Sequence, residues 1–139
     1  KPAPDFTLMD MYGTEISLSD YRGRLVLLHF WAAYSGECQQ DLPDLRRLQR
    51  KYQDEHDLVF ISIALDGDEP SWLDAVAVFQ LRGIHFLVDG FGHKVPSRYH
   101  IKRLPVYFLI GRDGKILDNR LPEVRDDAFE QRIASALQE

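Results

Sequence analysis

Cysteine is nearly absent from this chain: Cys38 is the only one in 139 residues. That count excludes an intrachain disulfide, a thiolate zinc site and any redox cycle drawing two thiols from this chain. No apolar run approaches the ~18 residues a membrane span needs, and the opening residues lack the charged-then-apolar pattern of a leader. Positive charge is in deficit: 17 Lys and Arg stand against 22 Asp and Glu, a net charge of −5. That balance speaks against nucleic acid or an anionic membrane as partner. Repeats and Gly/Ser linkers are also missing, so residues 1–139 read as a single domain. What is present, 45% hydrophobic and 28% charged residues, is the composition of a soluble globular protein able to bury a core.

The pattern alternates strands and helices. Phe6–Leu8 and Glu15–Leu18 are short alternating pieces around Gly13, predicting an N-terminal hairpin. Leu25–Trp31 and Leu58–Ala64 are continuous apolar runs, the mark of strands buried on both faces. Between them Leu42, Leu45, Leu48 and Tyr52 recur at helical spacing, with Pro43 expected to kink that helix one turn in. Trp72, Val76 and Phe79 predict a second helix, His85–Val88 a short strand and Lys94–His100 a short helix. Pro105–Ile110 reads as a strand, Asp113-Gly114 as a hairpin turn, and Phe129, Ile133 and Leu137 as a last amphipathic helix. The expected fold is α/β: alternating strands and helices that end in a hairpin, making a sheet with helices on both faces.

In such sheets ligands collect at the carboxyl ends of strands and at helix N-termini. One such junction holds a reactive side chain, Tyr34-Ser35-Gly36-Glu37-Cys38 after the first long strand. Ser35 suits the helix cap, and Cys38 then falls in the first turn, where the helix end favours thiolate. The same residues also suit a plain cap and a small buried hydrophobe.

The stretch LVLLHFWAAYSGECQQDLP resembles the active-site segment of thioredoxin-fold proteins of the TlpA/ResA type, within the AhpC/TSA superfamily, whose pattern is F-W-A-x-W-C-x-x-C-x-x-E-x-P. The opening Asp5-Phe6 and Leu18-Ser19-Asp20-Tyr21, the Ser62–Leu73 strand with its inserted helix, and Leu104-Pro105 before VYFLI are similar to that family in the same order. The resemblance implies a thioredoxin-like fold, with a central mixed sheet of four or five strands, and thiol–disulfide exchange with protein substrates. No metal is expected, since His56, His85, His93 and His100 fall in four different predicted elements without ligand spacing. No cofactor is expected either, and the resemblance implies a monomer in the periplasm or another extracytoplasmic place, secreted or held by an anchor. It also implies a cis Pro105 facing the site, with Leu104, Tyr34 and Trp31 as substrate contacts, the plainer role of Trp31 being packing.

The departure falls on the motif itself: Ser35 stands at the nucleophilic position and Cys38 at the resolving one. A serine hydroxyl forms no mixed disulfide, so dithiol turnover is not expected. Whether the serine is introduced or inherited, two other readings remain: a redox-silent binding module, and a one-cysteine peroxidase using Cys38. The second rests on Ser35-x-x-Cys38 resembling the T-x-x-C of peroxiredoxins, although Trp31 and Pro105 replace that family's Pro and Arg. His29, two residues before Trp31, and Asp41, three after Cys38, are candidates to tune the thiol. Their plainer roles are a hydrogen-bonded core histidine and a helix-start carboxylate. Asp66, Asp68 and Glu69 read as a solvated turn, and Arg46, Arg47, Arg50 and Lys51 as an exposed helix face.

Overall fold

A computed structural model describes residues 1–139. Seven strands and four α-helices alternate: β1 (Thr7–Met9), β2 (Glu15–Ser17), β3 (Leu25–Trp31), α1 (Gly36–Lys51), β4 (Leu58–Ala64), α2 (Glu69–Val78), β5 (Ile84–Leu87), α3 (Lys94–Arg98), β6 (Val106–Ile110), β7 (Ile116–Asp118) and α4 (Asp127–Leu137). β1 and β2 form the expected N-terminal hairpin. The other five strands make one mixed sheet in the order β5-β4-β3-β6-β7. β3 lies at its centre, parallel to β4 and antiparallel to β6. This is the α/β sheet that the element pattern predicted, in the thioredoxin-like form that the resemblance implied.

Every residue of β3 and β4 is buried, which is why both read as unbroken apolar runs. Their alternate side chains divide between two cores. Leu25, Leu27 and Trp31 point toward a core completed by Leu42, Leu45 and Leu48 of α1, Trp72 and Val76 of α2, and Phe129 and Ile133 of α4. Val26, Leu28 and Phe30 face a second core with Phe6, Leu18, Val95 and Tyr99. Truncating Leu45 or Leu48, both essentially without solvent exposure, would cost about 2–5 kcal/mol.

α1 starts where Ser35 caps it and continues without interruption across Pro43, which lies on its exposed side. Pro43 therefore does not end the helix. Proline removes one amide donor to the Gln39 carbonyl, and the buried leucine stripe on the opposite face holds the helix together. Pro43 is the eighth residue of α1, two turns in rather than one.

The N-terminal segment ties down both edges of the sheet. At the β7 edge Ile116 N–H donates to the Lys1 carbonyl and Ala3 N–H to the Gly114 carbonyl. At the β5 edge Asp10 bridges Phe86, and Met11 N–H donates to the His85 carbonyl. Tyr99 anchors the crossing, its hydroxyl 2.6 Å from the Pro4 carbonyl.

Candidate active site at the β3–α1 junction

The carboxyl end of β3 and the N-terminus of α1 meet at residues 32–38. Ser35 has extended backbone and accepts the Cys38 N–H on its Oγ at 3.4 Å, a helix cap as the spacing predicted. Cys38 is fully buried, and its Sγ accepts the Ala32 N–H at 3.4 Å. Burial pushes the Cys38 thiol above its usual value; the Ala32 N–H and the Ser35 hydroxyl pull the other way, and Asp41 and Asp66 add to the rise. Desolvation therefore outweighs the helix end here. Ser35, by contrast, is half-exposed, so the outward group at this turn is a hydroxyl.

Asp41, one turn into α1, is half-buried. Its Oδ2 accepts the Tyr107 hydroxyl at 3.0 Å. Burial raises the Asp41 carboxyl above the usual range, and the Tyr107 bond opposes that rise. Tyr107 stacks on His29, with ring centroids 4.6 Å apart. His29 is the register partner of both Tyr107 on β6 and Ser62 on β4. Its Nδ1 lies 3.0 Å from Ser62 Oγ, while Nε2 has no partner. Burial, followed by the neighbouring His85, pushes its pKa down to about 3. His29 is thus a neutral ring hydrogen-bonded to Ser62, with no bond to Cys38, and the expected proton exchange between them has no path through a direct contact. Tyr107 links Asp41 to this row. The sequence reading overlooked it, although the alternation of β6 places it on the same face as the buried Leu109.

Asp66 is a second residue the sequence reading misplaced. It is half-buried rather than solvated. Both of its carboxylate oxygens accept the Ala33 N–H, at 2.8 and 3.0 Å. Gln39 reaches back from α1 to donate to the Ala33 carbonyl at 2.6 Å. The peptide groups flanking Ala33 are held from both sides, which fixes the turn that carries Ser35. The available signal was position: Asp66 lies just beyond the carboxyl end of β4, where parallel sheets build sites.

Leu104–Pro105 is cis. These residues line a cleft of about 530 Å³ with Glu37, Gln40, Asp41 and Tyr107, closed on the far side by residues 119–125. Tyr34 is 69% exposed but lines a different cleft, beside Asp66 and α2. The two halves of the expected substrate groove therefore flank α1 instead of sharing one cavity. Trp31 is fully buried in the α1 core with its Nε1 unpartnered. It packs against His29 at 5.9 Å and does not reach a substrate surface.

The AhpC/TSA family model matches residues 1–118. The chain is 33% identical over 131 residues to the thiol-disulfide oxidoreductase ResA of Bacillus thuringiensis (strain Al Hakam), covering 94% of this chain and 73% of that protein. It is 29% identical over 133 residues to the thioredoxin-like protein YneN of Bacillus subtilis (strain 168), covering 94% and 76%. A thiol-disulfide oxidoreductase structure from Bacteroides fragilis superposes with a TM-score of 0.87 at 27% identity, over 97% of this chain and 98% of that one. Similarity that spans the hairpin, the β3–α1 junction and the cis-proline segment together settles the family. The chain belongs to the AhpC/TSA family, among its thioredoxin-fold, ResA/TlpA-like thiol–disulfide oxidoreductases, with a single cysteine at the motif.

Proposed function

We propose that this domain engages extended segments of protein thiols or disulfides as a ResA-like oxidoreductase domain does, but does not complete a dithiol cycle as written. The observation that carries this reading is the vertical order at the junction: a half-exposed Ser35 hydroxyl above a fully buried Cys38 sulfur. In a dithiol site the outer thiolate attacks one sulfur of a substrate disulfide and the other leaves as thiolate. The inner thiolate then attacks the mixed disulfide, releasing the second substrate thiol and leaving the enzyme oxidised. Here the outer atom is an alcohol oxygen, which stays protonated at neutral pH and does not open the first disulfide. The inner thiol is present, shielded and without a mixed disulfide to resolve.

The domain works outside the cytoplasm on protein clients, as a monomer, behind a leader or anchor. Pro105, Leu104 and Tyr34 are its client contacts, and Asp41 is its thiol-tuning carboxylate. The test is Ser35→Cys. The unaltered chain should reduce insulin no faster than dithiothreitol alone, and the folded variant should show dithiothreitol-driven turnover. Robust turnover by the unaltered chain would overturn the reading. A folded but inert Ser35→Cys variant would leave the second reading, a redox-silent binding module, which the retained cleft beside Pro105 supports. The peroxidase reading loses ground on two observations. Cys38 is buried with its thiol raised, and the nearby Arg103 lines the Pro105 cleft without a bond to the sulfur.

A further inference from the structure

The outer surface between α1 and α2 carries a continuous groove with charges sorted by sign. At the end beside Tyr34 its cleft is lined by Asp66, Asp68 and Asp74 and by no basic residue. At the far end, under the exposed Tyr12 of the β1–β2 turn, it is lined by Arg46, Arg50 and Arg82 and by no carboxylate. Val78 and Phe79 join the two ends, since they line both the acidic cleft and the short passage that reaches Arg46 and Gln80. Val78 is 75% exposed and Tyr12 82% exposed. None of these six charges is in an ion pair, although α1 carries paired arginine at Arg47. Arg46 is held toward the groove by the Gln80 side chain, and Asp68 by Ser71.

In a chain of net charge −5, a carboxylate-free cluster of three arginines joined to an acidic cluster by the exposed Val78 and the half-buried Phe79 is a charge pattern with a direction. Opposite charges left unpaired on one apolar groove are complementary to a partner carrying the reverse order. From Gln39 to Arg50 the helix rises about 16 Å, which an extended segment of about five residues spans.

We infer that the α1–α2 groove docks a segment of the protein client whose basic end lies over Asp68 and Asp74 by Tyr34, whose apolar centre packs on Val78 and Phe79, and whose acidic end meets Arg46, Arg50 and Arg82. The identity of the partner as a redox client rests on the function proposed above; the docking itself does not. The groove leads away from Ser35 on the side opposite Pro105, so it adds a second recognition surface that selects clients by charge order.

The experiment uses the whole chain, isotope-labelled for amide NMR, and three synthetic peptides sharing a central Leu-Phe pair. One has a basic half and an acidic half, one is acidic throughout and one is basic throughout. The two-signed peptide should bind saturably, shift the amides of Val78, Phe79, Arg46 and Arg82, and weaken as salt is raised. The joint variant Arg46→Glu, Arg50→Glu and Arg82→Glu should weaken it by about tenfold or more, and the all-basic peptide should then bind that variant better than it binds the parent. Val78→Asp should weaken binding in either background. Equal binding of all three peptides, shifts confined to residues 103–107 and 119–125, or no saturable binding would each overturn the proposal. Because the readout is binding by the chain as it stands, its failure is separate from a failure of Ser35→Cys to turn over.

Discussion

The ring of His29 lies nearly parallel to that of Tyr107, at 8° between planes and 4.6 Å between centroids. This pair joins two polar features into one buried row. On one side Ser62 and then His85 follow across β4 and β5 in register; on the other the Tyr107 hydroxyl reaches Asp41 on α1. The row crosses four strands of the sheet beneath α1. Its histidines are held neutral by burial, His85 lowered in the same direction as His29.

The first expectation concerns acid. Folding depresses the His29 pKa from 6.5 to about 3. The unfolded chain therefore binds the proton first, and stability present above pH 6.5 declines progressively as pH falls toward 3. His85 acts in the same direction. Urea midpoints measured from pH 7.5 to pH 4 should fall, and the slope should flatten in His29→Phe with Ser62→Ala, which removes both hydrogen-bonding partners together. An unchanged slope in a folded double variant would remove His29 as the cause.

Cys38 should react slowly. Its thiol is buried and raised, so at neutral pH it is protonated and out of reach. Alkylation by iodoacetamide should run about two orders of magnitude slower than in urea, limited by local opening. Rapid labelling of the folded chain with an apparent pKa below 7 would contradict the burial argument.

Asp66→Ala leaves the Ala33 N–H without its acceptor and should cost about 1–3 kcal/mol. Asp66→Asn keeps a carbonyl oxygen for that bond and drops a carboxylate that burial holds raised. It should therefore be the milder change at pH 7 by urea midpoint. Equal losses from both would show that the charge, rather than the bond, holds the turn.

Tyr107→Phe removes the donor to Asp41 at 3.0 Å and should cost about 0.5–1.5 kcal/mol. That bond holds the Asp41 pKa down against burial. The Asp41 carboxyl, followed by NMR titration, should therefore move further above the usual carboxylate range. No movement would separate Tyr107 from Asp41 in solution.

Sheet and helices were legible because their signals are periodic and local. The boundaries of β3 and β4 coincide with the apolar runs Leu25–Trp31 and Leu58–Ala64, and Ser35 caps α1 where its hydroxyl and the Cys38 spacing placed it. Contacts made across the sheet were not legible. Nothing local to PVYFLI says that Tyr107 will meet a carboxylate 66 positions earlier. Likewise, nothing local to Leu65-Asp66-Gly67 says that the aspartate turns inward to a backbone amide. Trp31 and Tyr34 show the same limit in reverse. Both are aromatic and flank the motif, but β3 buries the first completely while the turn leaves the second in solvent.

The first eleven residues carry a consequence for how the sheet meets other chains. Bare strand edges are templates for unwanted pairing. Here Lys1 and Ala3 occupy bonding groups along β7 while Asp10 and Met11 occupy them along β5. The opening segment acts as a strap buckled at both margins, with Phe6 and the Tyr99–Pro4 bond as its rivets. Cutting it before Asp5 would unfasten the β7 margin and remove the Tyr99–Pro4 rivet, leave the β5 margin fastened, and bare the groups of Gly114 and Ile116. The shortened chain would then gain a place for a foreign strand to add, at the end of the sheet remote from β5.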